Sequence, residues 1–536
     1  MSLGDWWRGA IVYQVYLPSF LDGNGDGFGD LVGLADHFEY IEDLGVDAVW
    51  ISPFYRSPFR DGGYDVSDHR SVDERFGTME DFDRVVAKAH EAGIRIIIDQ
   101  VWSHTSSDHA WFAESRVSRD GAKSDWYVWA DPREDGSQPN NWLSVFGGSA
   151  WQWGAERRQY YLHHFLAGQP KLNLRNPEVV REHLATAEYW LRRGVDGFRL
   201  DAVDFMLHDP ALQNNPPRHG LVTEVPWNPF RMQRHDWDMC HPDTDALLRE
   251  IRKFLAPYPQ VTTIGEISSE PGALSRIGTF TTAGGLHMAY TLGTMKAALS
   301  PSMMRQVLEE ARELNKTGCL CWSFSNHDVD RVATRWNPSH SGRSEFVRML
   351  LVLLFCLPGS VCLYQGEELG LGNGRVPKAR MQDPFGQTFY PAFSGRDGSR
   401  TPLPWVAGAR NAGFSTAAET WLPVDPDHDT LAIDRQQADA RSHLHFSRRL
   451  SAWRRQHPAL SVGGIEVLEV PPPTIAFVRE RDDDRILIVC NLSAAAMSLP
   501  LRLLPDFIAD DPTGFSAPCD PDAVLLPPHG FILGRV

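Results

Sequence analysis

Short apolar, β-branched runs alternate along most of this chain with stretches whose apolar residues recur at helical spacing. Residues 10–16 form the first run, and Leu31, Leu34, Phe38, Ile41 and Leu44 follow at a helical period. The second run, 48–52, precedes Thr78 as a helix N-cap, with Phe82, Val86 and Ala89 on one face. After the third run, 95–101, the alternation stops. Residues 105–173 have no clear period and are rich in Trp, Ser, Gly and Asp, which predicts an inserted subdomain. Asn176 as a cap, Pro177 at the first helical position and the stripe Val180, Leu184, Ala187 and Leu191 resume the pattern. Runs at 195–203, 262–267, 285–290, 320–326 and 361–366 then bring the strands to eight.

Eight strands with intervening helices predict a closed (β/α)8 barrel, an α/β fold, built from residues 1–104 and 174–458 around the insertion 105–173. Past the eighth strand comes a loop of about 50 residues, then a helix over 437–456. From 459 to 536 the period changes to that of hairpins, with strand-like runs at 474–479 and 485–491 joined by an acidic turn; this predicts a small antiparallel β domain.

Composition narrows the function by exclusion. With 52 basic and 69 acidic residues the net charge is −17, which argues against nucleic acid and anionic membranes as partners. The seven cysteines include one close pair, Cys319 and Cys321, on a buried run, so they read as reduced thiols. The N-terminal residues lack a basic, then apolar, signal pattern, and no apolar run reaches membrane-spanning length. A cytoplasmic protein is the expectation.

The chemistry gathers at the strand ends, where barrels of this kind place it. Strand three leads to His104, strand four to Asp201, strand five to Glu266, and strand seven to His327 and Asp328. An aspartate at one strand end is by itself more often a turn-former; several such groups at matching ends predict one pocket. Alternation along strand four puts Arg199 on the same inner face as Asp201, and a guanidinium there favours an ionised carboxylate, suited to a nucleophile. Glu266 has no basic neighbour in sequence and is the better general acid. A carboxylate nucleophile with a second carboxyl as acid is the equipment of retaining glycoside hydrolysis.

These stretches resemble the α-amylase superfamily, glycoside hydrolase family 13, and its bacterial α-glucosidase and oligo-1,6-glucosidase branch. The matching motifs are Asp61-Gly62-Gly63-Tyr64-Asp65-Val66, Asp99-Gln100-Val101-Trp102-Ser103-His104, Gly197-Phe198-Arg199-Leu200-Asp201-Ala202-Val203, Ile264-Gly265-Glu266-Ile267, Ser325-Asn326-His327-Asp328 and Arg400-Thr401-Pro402-Leu403-Pro404-Trp405. The resemblance implies Asp201 as nucleophile, Glu266 as acid/base and Asp328 as the carboxylate holding the sugar's 2- and 3-hydroxyls. It also implies that Asp61, Tyr64, His104, His327 and Arg400 line the glucose subsite. In that arrangement Asp61 pairs with Arg400 to close a pocket, Tyr64 is a stacking platform, and Phe146 and Phe165 are aromatic walls.

Three departures bear on specificity. Ala202 stands where α-1,6-cleaving relatives carry Val, which favours maltose-like α-1,4 substrates. The aperiodic stretch 204–243 either excludes long chains from the mouth or serves as scaffolding. Lys171 in Gln169-Pro170-Lys171-Leu172-Asn173 replaces an Asp of the oligo-1,6-glucosidase pattern, and Ser103 replaces an Asn that helps relatives bind calcium between barrel and insertion. That second metal site is not expected here.

Asp22, Asn24, Asp26, Phe28 and Asp30 alternate with glycines, a hard-cation spacing that lacks the acidic residue completing an EF-hand, since Gly33 stands in its place. By resemblance, a structural Ca2+ or Mg2+ would use the Asp and Asn side chains and the Phe28 carbonyl. The expectation is an exo-acting α-glucosidase, monomer or homodimer, without an organic cofactor, acting on small α-glucosides with transglucosylation. A family transferase or isomerase acting on sucrose or trehalose, or an α-1,6-preferring enzyme, stays open.

Overall fold

The structure, a computed structural model, describes residues 5–536 except 219–225, 269–271, 283, 294–297, 315–317, 338–342 and 519–521. Part of the 204–243 stretch and Cys519 therefore lie outside the described residues.

Eight parallel strands form the central sheet: β1 (Ile11–Val15), β2 (Ala48–Ile51), β3 (Arg95–Gln100), β4 (Gly197–Leu200), β5 (Thr262–Ile267), β6 (Met288–Thr291), β7 (Cys321–Ser323) and β8 (Ser360–Tyr364). Their spatial order is β6-β5-β4-β3-β2-β1-β8-β7, and a parallel bridge from Ala289 to Leu320 joins the two ends, closing the barrel. Every residue of β1, β2, β4, β5 and β8 is buried, as expected of strands covered on both faces, which is why they read as apolar runs. Val12, Ala48, Trp50, Ile97, Ile264, Met288, Tyr290, Cys321 and Cys362 pack together as one cluster contributed by strand after strand around the barrel. A larger cluster continues into the helices and on into the C-terminal sheet.

The helices follow their local signals with shifts that packing explains. Thr78 caps Met79–Glu91 in a reciprocal capping box with Asp81, and Phe82, Val85, Val86 and Ala89 are buried. The predicted helix after β1 is two short ones, Leu31–Asp36 and Phe38–Asp43, broken at His37, whose backbone leaves the helical region. Helix Pro177–Leu191 is capped by Asn176 as expected, but it buries Val179, Val180, His183, Ala187 and Trp190 and leaves Leu184 and Leu191 partly exposed. The face is rotated because Trp190 inserts among Phe54, Tyr55 and Phe82. The predicted helix over 437–456 is instead Ile433–Ala438 and His443–Gln456, since Ser442 caps the second with its hydroxyl.

Between β3 and that Asn176-capped helix, strands Trp129–Ala130, Trp151–Gly154 and Gln159–Leu162 pair antiparallel. Gly464–Val467, Thr474–Arg481, Asp484–Asn491, Phe531–Arg535 and Ile508–Ala509 make the C-terminal antiparallel sheet. Cys319, Cys321, Cys356, Cys362 and Cys490 are buried free thiols. Among the described residues no helix is long and apolar enough to cross a membrane.

Candidate active site

Register sets the floor of the site. β3 and β4 pair with Asp99 opposite Arg199, and β5 and β6 pair with Glu266 opposite Tyr290. Arg199 is fully buried, with its guanidinium over the rings of Trp50, Tyr64 and Tyr290 at 4.9, 5.5 and 5.8 Å. One of its terminal nitrogens bonds the Asp201 carboxylate at 2.8 Å and also that of Asp99. The other bonds Glu266 and donates to the Tyr290 hydroxyl at 2.8 Å.

This corrects the sequence reading, in which Arg199 served Asp201 alone and Glu266 had no basic neighbour. Three carboxylates share one cation, so if all ionised they would leave the buried floor strongly negative. Burial accordingly outweighs Arg199 at each. Asp99 is pushed up to about 6, Asp201 to about 7 and Glu266 to about 8, the last raised further by Asp201 and Asp328. The proton bound most tightly belongs to Glu266.

A second charge cluster forms the wall opposite. Burial raises Asp328, yet its contacts with His327, Arg396 and Arg400 hold it well below the usual carboxylate range. Arg396 reaches it at 2.8 Å and Arg400 at 3.1 Å, and Arg400 also donates to the His327 carbonyl at 2.7 Å. Asp61 pairs not with Arg400, as expected, but with Arg396 at 2.7 Å, and its other oxygen accepts from Gln169 at 3.0 Å. The reason is reach: Arg400 is drawn to Asp328 and the His327 carbonyl, while Arg396, also paired with Asp383 at 2.7 Å, lies between Asp61 and Asp328. Burial, only partly countered by Arg396, leaves the Asp61 carboxyl raised.

His327 is sandwiched between Tyr16 and Tyr64, its ring centroid 5.5 and 5.2 Å from theirs and nearly parallel to both. Tyr64 is thus stacked on His327 and also lies against the Arg199 guanidinium. His104 is buried against the Tyr64 carbonyl (3.1 Å) and the Ser103 hydroxyl (2.8 Å), and burial lowers it to about 3, so it acts as a neutral imidazole. Phe165 packs on His104 at 5.1 Å, and Phe146 lies 6.3 Å from Phe165 with Arg396 over its ring. Of the two expected aromatic walls, Phe146 therefore adjoins the Arg396 cluster and Phe165 adjoins His104.

Ala202 has a role beyond size. Its backbone is left-handed, with φ 43°, and its N–H donates to Glu266 at 3.2 Å. A strained non-glycine residue beside reactive carboxylates aims that N–H. Its methyl group packs with Phe205 and Met239, against Phe165 and Phe230.

At the loop 22–30 the carboxylates fold back on their own backbone. Asp22 accepts from the N–H groups of Asn24, Gly25 and Gly27 and from Ser415, and Asn24 and Asp26 each accept one bond from the N–H two residues on. Asp30 accepts from Gly23, Asn24 and Gly33 and caps helix Leu31–Asp36. Among the described residues no three His, Cys, Asp or Glu side chains converge as a metal cluster. The donor chemistry still suits a hard cation, since Asn24, Asp26 and the Phe28 carbonyl keep oxygen lone pairs unspent.

Asp99, Gln169, Tyr290, Asp383 and Arg396 were not singled out by sequence reasoning. Asp99 had a signal, since it shares the inward parity of its strand; Arg396 and Asp383 lie in an aperiodic stretch that offered none.

The family model for the α-amylase catalytic domain matches residues 14–463. The chain is 43% identical over 540 residues to a probable alpha-glucosidase of Rhizobium meliloti (strain 1021), covering 99% of this chain and 97% of that protein. It is 33% identical to the oligo-1,6-glucosidase of Parageobacillus thermoglucosidasius, covering 94% and 92%. A crystallised alpha-glucosyl transfer enzyme superposes with a TM-score of 0.94 at 45% identity, over 99% of each chain.

Proposed function

This chain belongs to the α-amylase catalytic-domain family, and from that premise we propose a retaining, exo-acting α-glucosidase that frees terminal α-1,4-linked glucose from short substrates such as maltose and aryl α-glucosides. The observation that carries this reading is the single guanidinium of Arg199 joining Asp201 to Glu266, with the proton held at Glu266. The Asp201 carboxylate attacks the anomeric carbon, and the glycosidic oxygen departs with the proton of Glu266. The Glu266 carboxylate then takes a proton from water, whose oxygen attacks the same carbon and releases Asp201. Asp328, kept anionic by Arg396 and Arg400, accepts hydrogen bonds from sugar hydroxyls. Asp61 and Arg396 close the far end, which supports attack at chain ends.

Incubation with maltose, isomaltose, sucrose and trehalose, followed by anomer-resolved NMR, tests this. Maltose should be cleaved faster than isomaltose, with α-glucose as first product; β-glucose would end the retaining assignment. A hydroxyl compound replacing water at the second step gives transglucosylation, which the likeness to a glucosyl transfer enzyme supports. Rearranged disaccharides from sucrose or trehalose would favour an isomerase instead.

We further infer a structural divalent cation, Ca2+ or Mg2+, on Asp22, Asn24, Asp26, Asp30 and the Phe28 carbonyl, where it would brace the loop after β1. Exhaustive chelation should lower the melting temperature and leave kcat per folded molecule unchanged. Loss of kcat at an unaltered melting temperature would contradict a purely structural ion.

A further inference from the structure

Lys171 is a buried cation without a buried anion. The residue is 1% exposed, and among the described residues no carboxylate pairs with its ammonium. Instead it donates to the Phe205 carbonyl at 2.6 Å and the Met206 carbonyl at 2.9 Å. Those carbonyls end the 3-10 turn Val203–Phe205 that directly follows Asp201 and the left-handed Ala202. The main chain of Lys171 is fixed from the other side. It bridges His104, with Leu172 donating to the Ser103 carbonyl at 3.0 Å and Lys171 itself to Leu162 at 2.9 Å. One side chain therefore ties the insertion and the end of β3 to the turn that carries the nucleophile.

A desolvated ammonium is costly, and an apolar side chain of similar length would fill the same space more cheaply. Main-chain carbonyls as its sole partners mean that what it fixes is backbone. We propose that Lys171 is a positioning residue: by clamping the Phe205 and Met206 carbonyls it holds the turn that directs the Ala202 N–H onto Glu266 and sets Asp201 in line. This rests on the reading of Asp201 and Glu266 as nucleophile and acid. Arg175, His104, His164 and His208 face the ammonium electrostatically, and among the described residues no acidic group offsets them; burial and Arg175 push Lys171 down to about 7.

The test compares wild type with Lys171→Met and Lys171→Arg, following melting temperature, kcat, KM and the pH profile of kcat/KM on maltose. With the clamp gone, kcat should fall about 100-fold for a small misplacement, while KM moves little. The alkaline limb should move to higher pH, because Glu266 loses the Ala202 N–H that stabilises its carboxylate. Arg should restore much of kcat and bring the limb back. If Lys171→Met is merely less stable, with kcat per folded molecule and the alkaline limb unchanged, the proposal is wrong. Should that chain not fold, Lys171→Leu, which also lacks a donor, takes its place with the same expectations. An inactive wild type would instead refute the hydrolase reading.

Discussion

Arg199 lies beneath three aromatic rings and answers to three carboxylates, so the protonation of the site is decided collectively. With Asp201 near 7 and Glu266 near 8, the active form, Asp201 ionised and Glu266 protonated, occupies a narrow range. The signs are fixed by the chemistry: kcat/KM should fall below about 7 as Asp201 gains its proton, and above about 8 as Glu266 loses its own. A profile flat from pH 5 to 9 would show that other groups control the rate. In the proposed mechanism, esterifying glucose to Asp201 removes that negative charge, which makes Glu266 easier to deprotonate and readies it as a base. The convergence of Asp201, Glu266 and Asp328 was legible because strand parity and strand ends are written in sequence. Their sharing of one guanidinium was not, since it depends on the register between β3, β4 and β5. The exchange of Arg400 for Arg396 beside Asp61 was hidden for a related reason: two arginines four apart in an aperiodic stretch differ only by the path of the chain.

At the scale of elements, the stretch after β4 and the stretch after β8 meet across the barrel mouth. Trp227 lies nearly parallel to Phe393 at 4.8 Å and edge-on to Phe389 at 5.1 Å, and Phe385 links it to Phe146. Trp142 and Asn141 meanwhile pin the 204–243 stretch to the insertion through Gln213 and Asn215. This aromatic bridge reaches Phe146 beside Arg396 and supports the view that 204–243 excludes long chains. Trp227→Ala should raise kcat/KM for maltotetraose relative to maltose by at least about tenfold, the scale of a lost apolar contact; an unchanged ratio would assign the stretch to scaffolding. Strand positions were legible to within a few residues, because both faces of each are buried. Where helices break, at His37 and before Ser442, the periodicity continued across the gap and concealed it.

In the whole molecule, the C-terminal sheet is fastened by a second buried cation on backbone. Arg479 is fully buried and donates to the carbonyls of Cys356, Leu460, Gly463 and Gly464 at 2.7 to 2.9 Å, joining the end of a barrel helix to the sheet. Arg479→Met would orphan these carbonyls and should cost about 3–5 kcal/mol in denaturant unfolding, with kcat per folded molecule intact. A cost below about 1 kcal/mol, the size of an exposed ion pair, would mean that the two parts are held by apolar packing alone.

The closed barrel also constrains how the chain is made. β1 is hydrogen-bonded to β2 on one side and to β8, some 350 residues later, on the other. As the chain leaves the ribosome, β1 waits with an open edge until just over two thirds of the protein has been synthesised, and an open strand edge recruits other chains. Ribosomes that stall before β8 would release products destined to aggregate, so the last strand of the barrel governs the yield of soluble enzyme.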